Sequence, residues 1–435
     1  MKNVKKMKFA ILGCGNRGQV YADYALSCPD EAEVVAVIDP NPVHLKETGD
    51  RHNVPSERRF ENIHDFLNAK IECDSVVNAT MDQQHYQTAL LLIEAGYNQL
   101  LEKPICPKEE ELLDLERKAK AKGVSVLICH VLRYAPFYRK IKEILNSGTI
   151  GKILTVEQNE HVKIGHFIDS FVRGKWNDER RCGSGLLLAK CCHDTDLMCW
   201  LNNDSAPSAI SSFGQRAWFT KENAPKDSTE YCYNCPHTDT CLYSAQKIQL
   251  EVDEFPFQTW EGMGRPVEEI TREEKEEYLK THEYGKCAYK FDVDLVDRQV
   301  VTVSFENGSL GTLALVGGSA RADRYIHIVG DKGEIEGHMA DEKFVLRTFD
   351  RDRFDFDEEI INVSDQIVFS DKYGGHGGGD FALMKDYVQF LQGNETSISI
   401  TRLDDSLNGH KIVYAAEKSR RNGVVEKIAK LPSEK

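Results

Sequence analysis

The 435-residue sequence lacks any apolar run approaching the roughly 20 residues that span a bilayer. Its first residues, Met1-Lys2-Asn3-Val4-Lys5-Lys6, lead into the first apolar stretch without the hydrophobic segment and cleavage site of a secretory signal. A soluble, cytoplasmic protein with no membrane partner is expected. A basic surplus is also missing: 55 Lys and Arg stand against 70 Asp and Glu, giving a formal charge of −15. No basic patch interleaved with aromatics occurs, so a nucleic-acid partner, which demands clustered cations, is not expected. Acidic stretches such as 350–359 read as solvated faces. Internal repeats and low-complexity tracts are absent too. The 13 cysteines are odd in number and no secretion signal accompanies them, which argues against a disulfide framework.

What is present begins at Phe9-Ala10-Ile11-Leu12-Gly13-Cys14-Gly15-Asn16-Arg17-Gly18, a short apolar strand running into a G-x-G-x-x-G turn and then a helix. Gly13 permits the tight turn, Gly15 lets backbone approach a pyrophosphate, and Gly18 allows close helix–strand packing. The helix start would turn free N–H groups to the anion. A second strand, Glu33 to Ile38, ends at Asp39, where a carboxylate can accept both ribose hydroxyls and repel a 2′-phosphate. The cofactor expected is NAD, with NADP less favoured.

At this length two or three domains are expected. Strands and helices alternate from residue 8 to about 130: strands 8–13, 33–38, 74–79, 99–101 and 124–129, helices 17–28, 42–52, 61–69, 83–95 and 108–122. Alternation of this kind specifies a doubly wound parallel sheet. Beyond Tyr134 the pattern changes. A helix at 136–147 and a strand at 153–160 precede β-branched runs at 299–305 and 310–316, joined by the hairpin signal Glu306-Asn307-Gly308-Ser309. Runs at 324–329 and 334–337 flank Asp331-Lys332-Gly333. These imply a second, mostly antiparallel α+β domain over 135–435, its sheet carrying helices at 185–202 and 380–392. The first domain covers 1–134. Residues 218–290 read as a long, polar, cysteine-containing insertion with one helix near 271–280.

Four ordered motifs accumulate along the chain: the glycine fingerprint, Asn78-Ala79-Thr80-Met81-Asp82-Gln83-Gln84-His85, Glu102-Lys103-Pro104, and His193-Asp194-Thr195-Asp196. With them the chain resembles the Gfo/Idh/MocA family of nicotinamide-dependent oxidoreductases over nearly its whole length. Ser170-Phe171-Val172-Arg173-Gly174-Lys175-Trp176 is similar to a branch of the family with a cysteine-rich insertion. The resemblance implies a Rossmann domain paired with an open-faced α/β domain, and a cleft between them that takes sugars, cyclitols or sugar derivatives. It also implies a cis bond before Pro104 and a homo-oligomer, dimer or tetramer. Cys14, Asn16, Arg17, Thr80, His85 and Glu102 join Gly13, Gly15, Gly18 and Asp39 as expected cofactor contacts. Independently, ligands sit beyond the carboxyl ends of parallel strands, which puts Glu102-Lys103-Pro104 at the cleft.

Taking a hydride from a secondary alcohol requires a group to receive the hydroxyl proton. A histidine titrates near neutrality without tuning. Carried over from the family, Lys103 contacts the reacting hydroxyl and His193 acts as, or beside, the general base. Where many members place an aspartate four residues before the histidine, this chain has Ala189, followed by Lys190, which could hold an acidic sugar or a phosphate. Arg173, Trp176 and Asp196 are further candidate substrate contacts. The loop Gly374-Gly375-His376-Gly377-Gly378-Gly379-Asp380 adds His376, with Asp380 as a candidate N-cap.

Cys232, Cys235 and Cys241 have chelating spacing for a structural zinc, whose fourth ligand would have to be His237 or one of Cys182, Cys191 and Cys192. Two rivals to a dehydrogenase stand at this level. One is a redox-neutral, NAD-dependent glycoside-cleaving enzyme that oxidises, eliminates and restores the hydride. The other is a non-catalytic NAD-binding sensor on the same scaffold.

Overall fold

The computed structural model describes residues 5–203, 205–367 and 376–428. Six strands, β1 (Met7–Leu12), β2 (Ala32–Ile38), β3 (Arg59–Phe60), β4 (Ser75–Asn78), β5 (Gln99–Leu101) and β6 (Val126–Ile128), form one sheet in the order β3-β2-β1-β4-β5-β6. All its pairings are parallel. This is the doubly wound order whose switch point lies between β1 and β4. Strands buried on both faces need unbroken apolar runs, and Ala10, Ile11, Val76, Val77, Leu100 and Leu101 are almost fully buried. The helix expected over 17–28 is divided at Asp23 into Asn16–Ala22 and Tyr24–Ser27.

The second sheet has nine strands in the order β14-β13-β12-β11-β7-β10-β9-β8-β15. They are β7 (Ile153–Lys163), β8 (Pro207–Gln215), β9 (Arg298–Phe305), β10 (Leu310–Ser319), β11 (Asp323–Gly330), β12 (Gly333–His338), β13 (Lys343–Asp350), β14 (Asp355–Asn362) and β15 (Glu426–Lys427). Only β7 and β10 pair in parallel. The 350–359 stretch spans the turn of the β13–β14 hairpin, and β14 is exposed at the sheet edge. Along β9 and β10 burial alternates, so Val301, Val303, Leu313 and Leu315 face the core while Val300, Leu310 and Val316 lie open. Helices Leu186–Leu201 and Leu407–Asn422 cover the buried face.

The helix expected on this sheet at 380–392 is found at Gly379–Leu391, but it packs against the parallel sheet. Its Leu383, Met384 and Tyr387 bury against the first core, with Tyr387 stacked 6.0 Å from Phe9. Apolar spacing fixes which face of a helix is buried and leaves open which sheet receives it. The insertion contains its expected helix, Arg272–Leu279, and also a small core of its own around Trp260, Ile270, Leu279 and Tyr284. No helix among the described residues is long and apolar enough to cross a membrane.

Candidate active site

A cavity of about 1150 Å³ runs from the glycine turn, past the ends of the parallel strands, to the second sheet and the insertion. Its nucleotide end is built by backbone. Gly13 has φ +88°, and a Cβ there would meet the Ala79 carbonyl oxygen at 2.4 Å. A Cβ on Gly18 would strike the Gly13 carbonyl oxygen at 1.9 Å, whereas one on Gly15 would meet nothing within 4 Å. Two glycines therefore close the turn, and the third leaves it open where a pyrophosphate would lie. Asp39 accepts from the backbone N–H of Cys14 at 2.6 Å and of Asn41 at 2.7 Å. Lone pairs remain for ribose hydroxyls, because a carboxylate offers about four. These groups fit a dinucleotide.

Arg17 lines the cavity but is held from one side. It donates to Glu102 Oε1 at 2.8 Å and also to Asp380 and Tyr21. Burial opposes its charge, but the Asp380 and Glu102 carboxylates outweigh it and keep the guanidinium above the ordinary arginine value. Burial likewise opposes ionisation of Glu102, and the Arg17 and Lys103 charges hold that carboxyl below its usual range. Asp380 is thus not the helix cap. Gly378, at φ +82°, occupies that position, and Asp380 spends its oxygens on Arg17 and His376. Residues Gly374 and Gly375 lie outside the described residues.

At the reaction end the peptide between Lys103 and Pro104 is cis, as the resemblance implied. Lys103 Nζ donates to the Ala189 carbonyl at 3.1 Å, which ties the end of β5 to the helix Leu186–Leu201. One turn further along, His193 enters the same cavity wall. It is 4% exposed, and among the described residues neither ring nitrogen has a hydrogen-bond partner. Burial pushes its pKa well below the ordinary histidine value, and the neighbouring Lys103 charge adds to the shift. A neutral imidazole keeps one ring nitrogen as an acceptor and offers the other as an N–H donor, so His193 presents a lone pair that can take a proton, while burial and the Lys103 charge disfavour its keeping one. His376 lies 6.0 Å from it, ring to ring, and its Nδ1 pairs with Asp380 at 3.0 Å.

Lys190 also reaches the wall, next to Ala189. Its Nζ lies 3.4 Å from Glu160 Oε1 on β7, and Arg324 on β11 spans Glu160 at 2.8 Å and Asp194 at 2.9 Å. Glu160 and Arg324 line the cavity with it. This quartet escaped the sequence reading. Its members sit on two strands and a helix far apart in the chain, with no local spacing to join them.

Other expected contacts lie elsewhere. Cys14 and Gly18 are behind the turn, outside the cavity lining. His85 is buried, its ring nitrogens on the carbonyls of Pro104 (2.6 Å) and Thr80 (2.9 Å), so it positions those two loops. Thr80 itself is on the wall, as are Asn16 and Trp176. Arg173 is fully buried and donates to the carbonyls of Lys286 (2.9 Å) and Tyr243 (2.6 Å), which fastens the insertion. Asp196 is paired in two bonds with Arg133, at 2.7 and 2.6 Å, behind the wall. A guanidinium or carboxylate this deep must find a partner in the fold, so it is spent on structure. Among the described residues no group of three or more His, Cys, Asp or Glu is placed to hold a metal ion. Cys232 instead accepts from Arg173 at 3.8 Å, and the structure gives the zinc expectation no support.

Two family models match: the oxidoreductase family's NAD-binding Rossmann fold over residues 7–130 and its C-terminal alpha/beta domain over 142–428. The chain belongs to the Gfo/Idh/MocA family and is an NAD(P)-dependent oxidoreductase. It is 24% identical over 330 residues to the putative oxidoreductase YteT of Bacillus subtilis, covering 72% of this chain and 71% of the relative. It is also 24% identical over 198 residues to the inositol 2-dehydrogenase/D-chiro-inositol 3-dehydrogenase of Lactiplantibacillus plantarum, covering 45% of this chain and 53% of that one. Among solved structures, levoglucosan dehydrogenase in complex with NADH and levoglucosan has the same fold. Its TM-score is 0.68 at 15% identity, with 98% of this chain and 100% of that one covered. The WlbA dehydrogenase of Bordetella pertussis, in complex with NADH and UDP-GlcNAcA, gives 0.66 at 18% identity, with 98% of each chain covered.

Proposed function

We propose that this protein oxidises a secondary ring hydroxyl of a sugar, cyclitol or sugar derivative with NAD, or catalyses the reverse reduction. The observation that carries this reading is His193, held neutral by burial and with no hydrogen-bond partner for its ring nitrogens among the described residues, on the cavity wall that Lys103 shares. NAD, when bound along the glycine turn, supplies the hydride acceptor. His193 then receives the hydroxyl proton, and Lys103, fixed by the Ala189 carbonyl, donates a hydrogen bond to the substrate oxygen as the carbonyl forms. A sensor would need neither group. Asp39 favours NAD over NADP, because a 2′-phosphate would meet a carboxylate already holding two backbone N–H groups. The relatives named as inositol and levoglucosan dehydrogenases support the substrate class.

We also read the open face of the nine-stranded sheet, with Phe213 77% and Leu154 49% exposed, as the surface on which copies of this chain meet. Light scattering on the purified protein checks that assignment, and a monomer overturns it. For the chemistry, mass spectrometry of small molecules released on denaturation should find NAD. A panel of sugars and cyclitols should then give NADH absorbance with at least one member. Turnover with none overturns the reading.

A further inference from the structure

At about 1150 Å³ the cavity exceeds the roughly 300–1,000 Å³ of an ordinary small-molecule site. On the function proposed above, a dinucleotide and one sugar ring account for two of its ends, the glycine turn and the Lys103–His193 wall. A third region leads away from that wall. His166 stacks on Phe171 with ring centres 5.8 Å apart and planes 7° from parallel, and meets Phe255 edge-on at 5.1 Å. Trp176 extends the row from Phe171 at 6.3 Å, and Phe257 extends it from Phe255 at 6.1 Å. All five rings line the cavity.

The row starts beside the reaction end. Burial drives the His166 pKa down to about 2, and the Lys190 and Lys103 charges press the same way, so the ring is a neutral face. It ends at the surface with Phe257, which is 41% exposed. Polar groups rim it: Trp176 Nε1 donates to Asp82 at 3.1 Å, Gln258 Oε1 accepts from Ser170 at 3.2 Å, and Lys175 pairs with Glu261 at 3.5 Å.

We propose that this aromatic trough is a subsite for a second pyranose ring, so that the substrate is a glycoside in which a further sugar is attached to the ring that reacts at Lys103 and His193. The inference rests on the sugar reading above. A pyranose ring has one face of C–H bonds that packs on the negative face of an aromatic ring, while its rim of hydroxyls needs hydrogen-bonding neighbours. The trough has both. The insertion, through Phe255 and Phe257, supplies its outer part, which gives that segment a role in choosing substrate length.

The test is calorimetric titration of the NAD-bound protein with cellobiose, maltose, lactose and other disaccharides, each beside its constituent monosaccharides. At least one disaccharide should bind about tenfold more tightly than either of its halves. Phe255→Ala and Phe257→Ala should bring that ratio towards one, and Phe257→Tyr should keep it. Equal binding of mono- and disaccharides leaves the sugar reading standing and removes the subsite. An unchanged ratio in both alanine variants also removes it, and a loss of NAD affinity instead would assign the trough to the cofactor. If no saccharide of either length binds, the sugar reading itself falls and takes the subsite with it.

Discussion

The nucleotide end and the reaction end of one cavity were built by different means. At the nucleotide end the shape is set by backbone, with Gly13, Gly15 and Gly18 forming the turn and the Asp39 carboxylate, 25 residues on from Cys14, accepting that residue's N–H. At the reaction end the wall is made of side chains from β7, β11, the helix Leu186–Leu201, Lys103 just past β5, and His376 of the glycine loop. Polar residues of similar appearance in the sequence part company there. Among the described residues the ring nitrogens of His193 have no hydrogen-bond partner, while Asp196, three residues on, is consumed by Arg133. A site made of side chains depends on what the rest of the fold leaves unsatisfied.

The sharpest break of this contrast is at the reaction end. His193→Ala and Lys103→Ala should each lower turnover by about 10²–10⁴ while NAD affinity, measured by calorimetry, stays near that of the unaltered protein. The double variant should be little worse than the poorer single one, because groups acting as a unit are not additive. Near-normal turnover in both singles would remove them from the chemistry.

Next in size is Asp196→Ala, which removes from Arg133 a carboxylate paired with it in two buried bonds. About 3–5 kcal/mol of stability should be lost in denaturant titration. If stability held and only KM rose, Asp196 would be a substrate contact after all.

At the nucleotide end, Asp39→Ala should weaken NAD by about 1–3 kcal/mol and raise NADP affinity relative to NAD. Calorimetry showing equal or tighter NADP binding in the unaltered protein would overturn the assignment.

The effect that is smallest near neutral pH, and grows as the solution is acidified, concerns the buried histidines at and around the reaction end. His130 and His193 are pushed below 6.5 by burial first, and His410 is pushed down to about 3 by the same cause. The unfolded chain therefore binds protons that the folded one refuses as pH falls below 6.5. Folding stability is complete above that value and should drop as the solution is acidified, by about 1.4 kcal/mol per pH unit for each such histidine. A flat stability profile from pH 7 to 5 would show that these rings gain protons in place.

Much of this molecule was legible beforehand. The parallel sheet, the β9–β10 hairpin and the helices ending at Gly96, Gly123 and Gly148 follow from apolar period and turn chemistry, which act over a few residues. Strands β8, β13 and β14 and the helix Leu407–Asn422 were not foreseen, since the strands are short of apolar alternation or lie at an edge. The Glu160–Lys190–Arg324–Asp194 quartet had no local signature either.

The sequence by itself determined the dinucleotide turn, the cis peptide ahead of Pro104 through the family it resembles, and the placing of Lys103 and His193 in one cleft. These rest on short-range geometry or on an ordered set of motifs. Only the tertiary structure decided that Arg173 and Asp196 hold the scaffold, that Asp380 serves Arg17, and that the insertion brings Phe255 and Phe257 to the cavity. Which buried polar groups are satisfied, and by whom, is settled by contacts between residues tens to hundreds of positions apart, and no spacing along the chain records those distances.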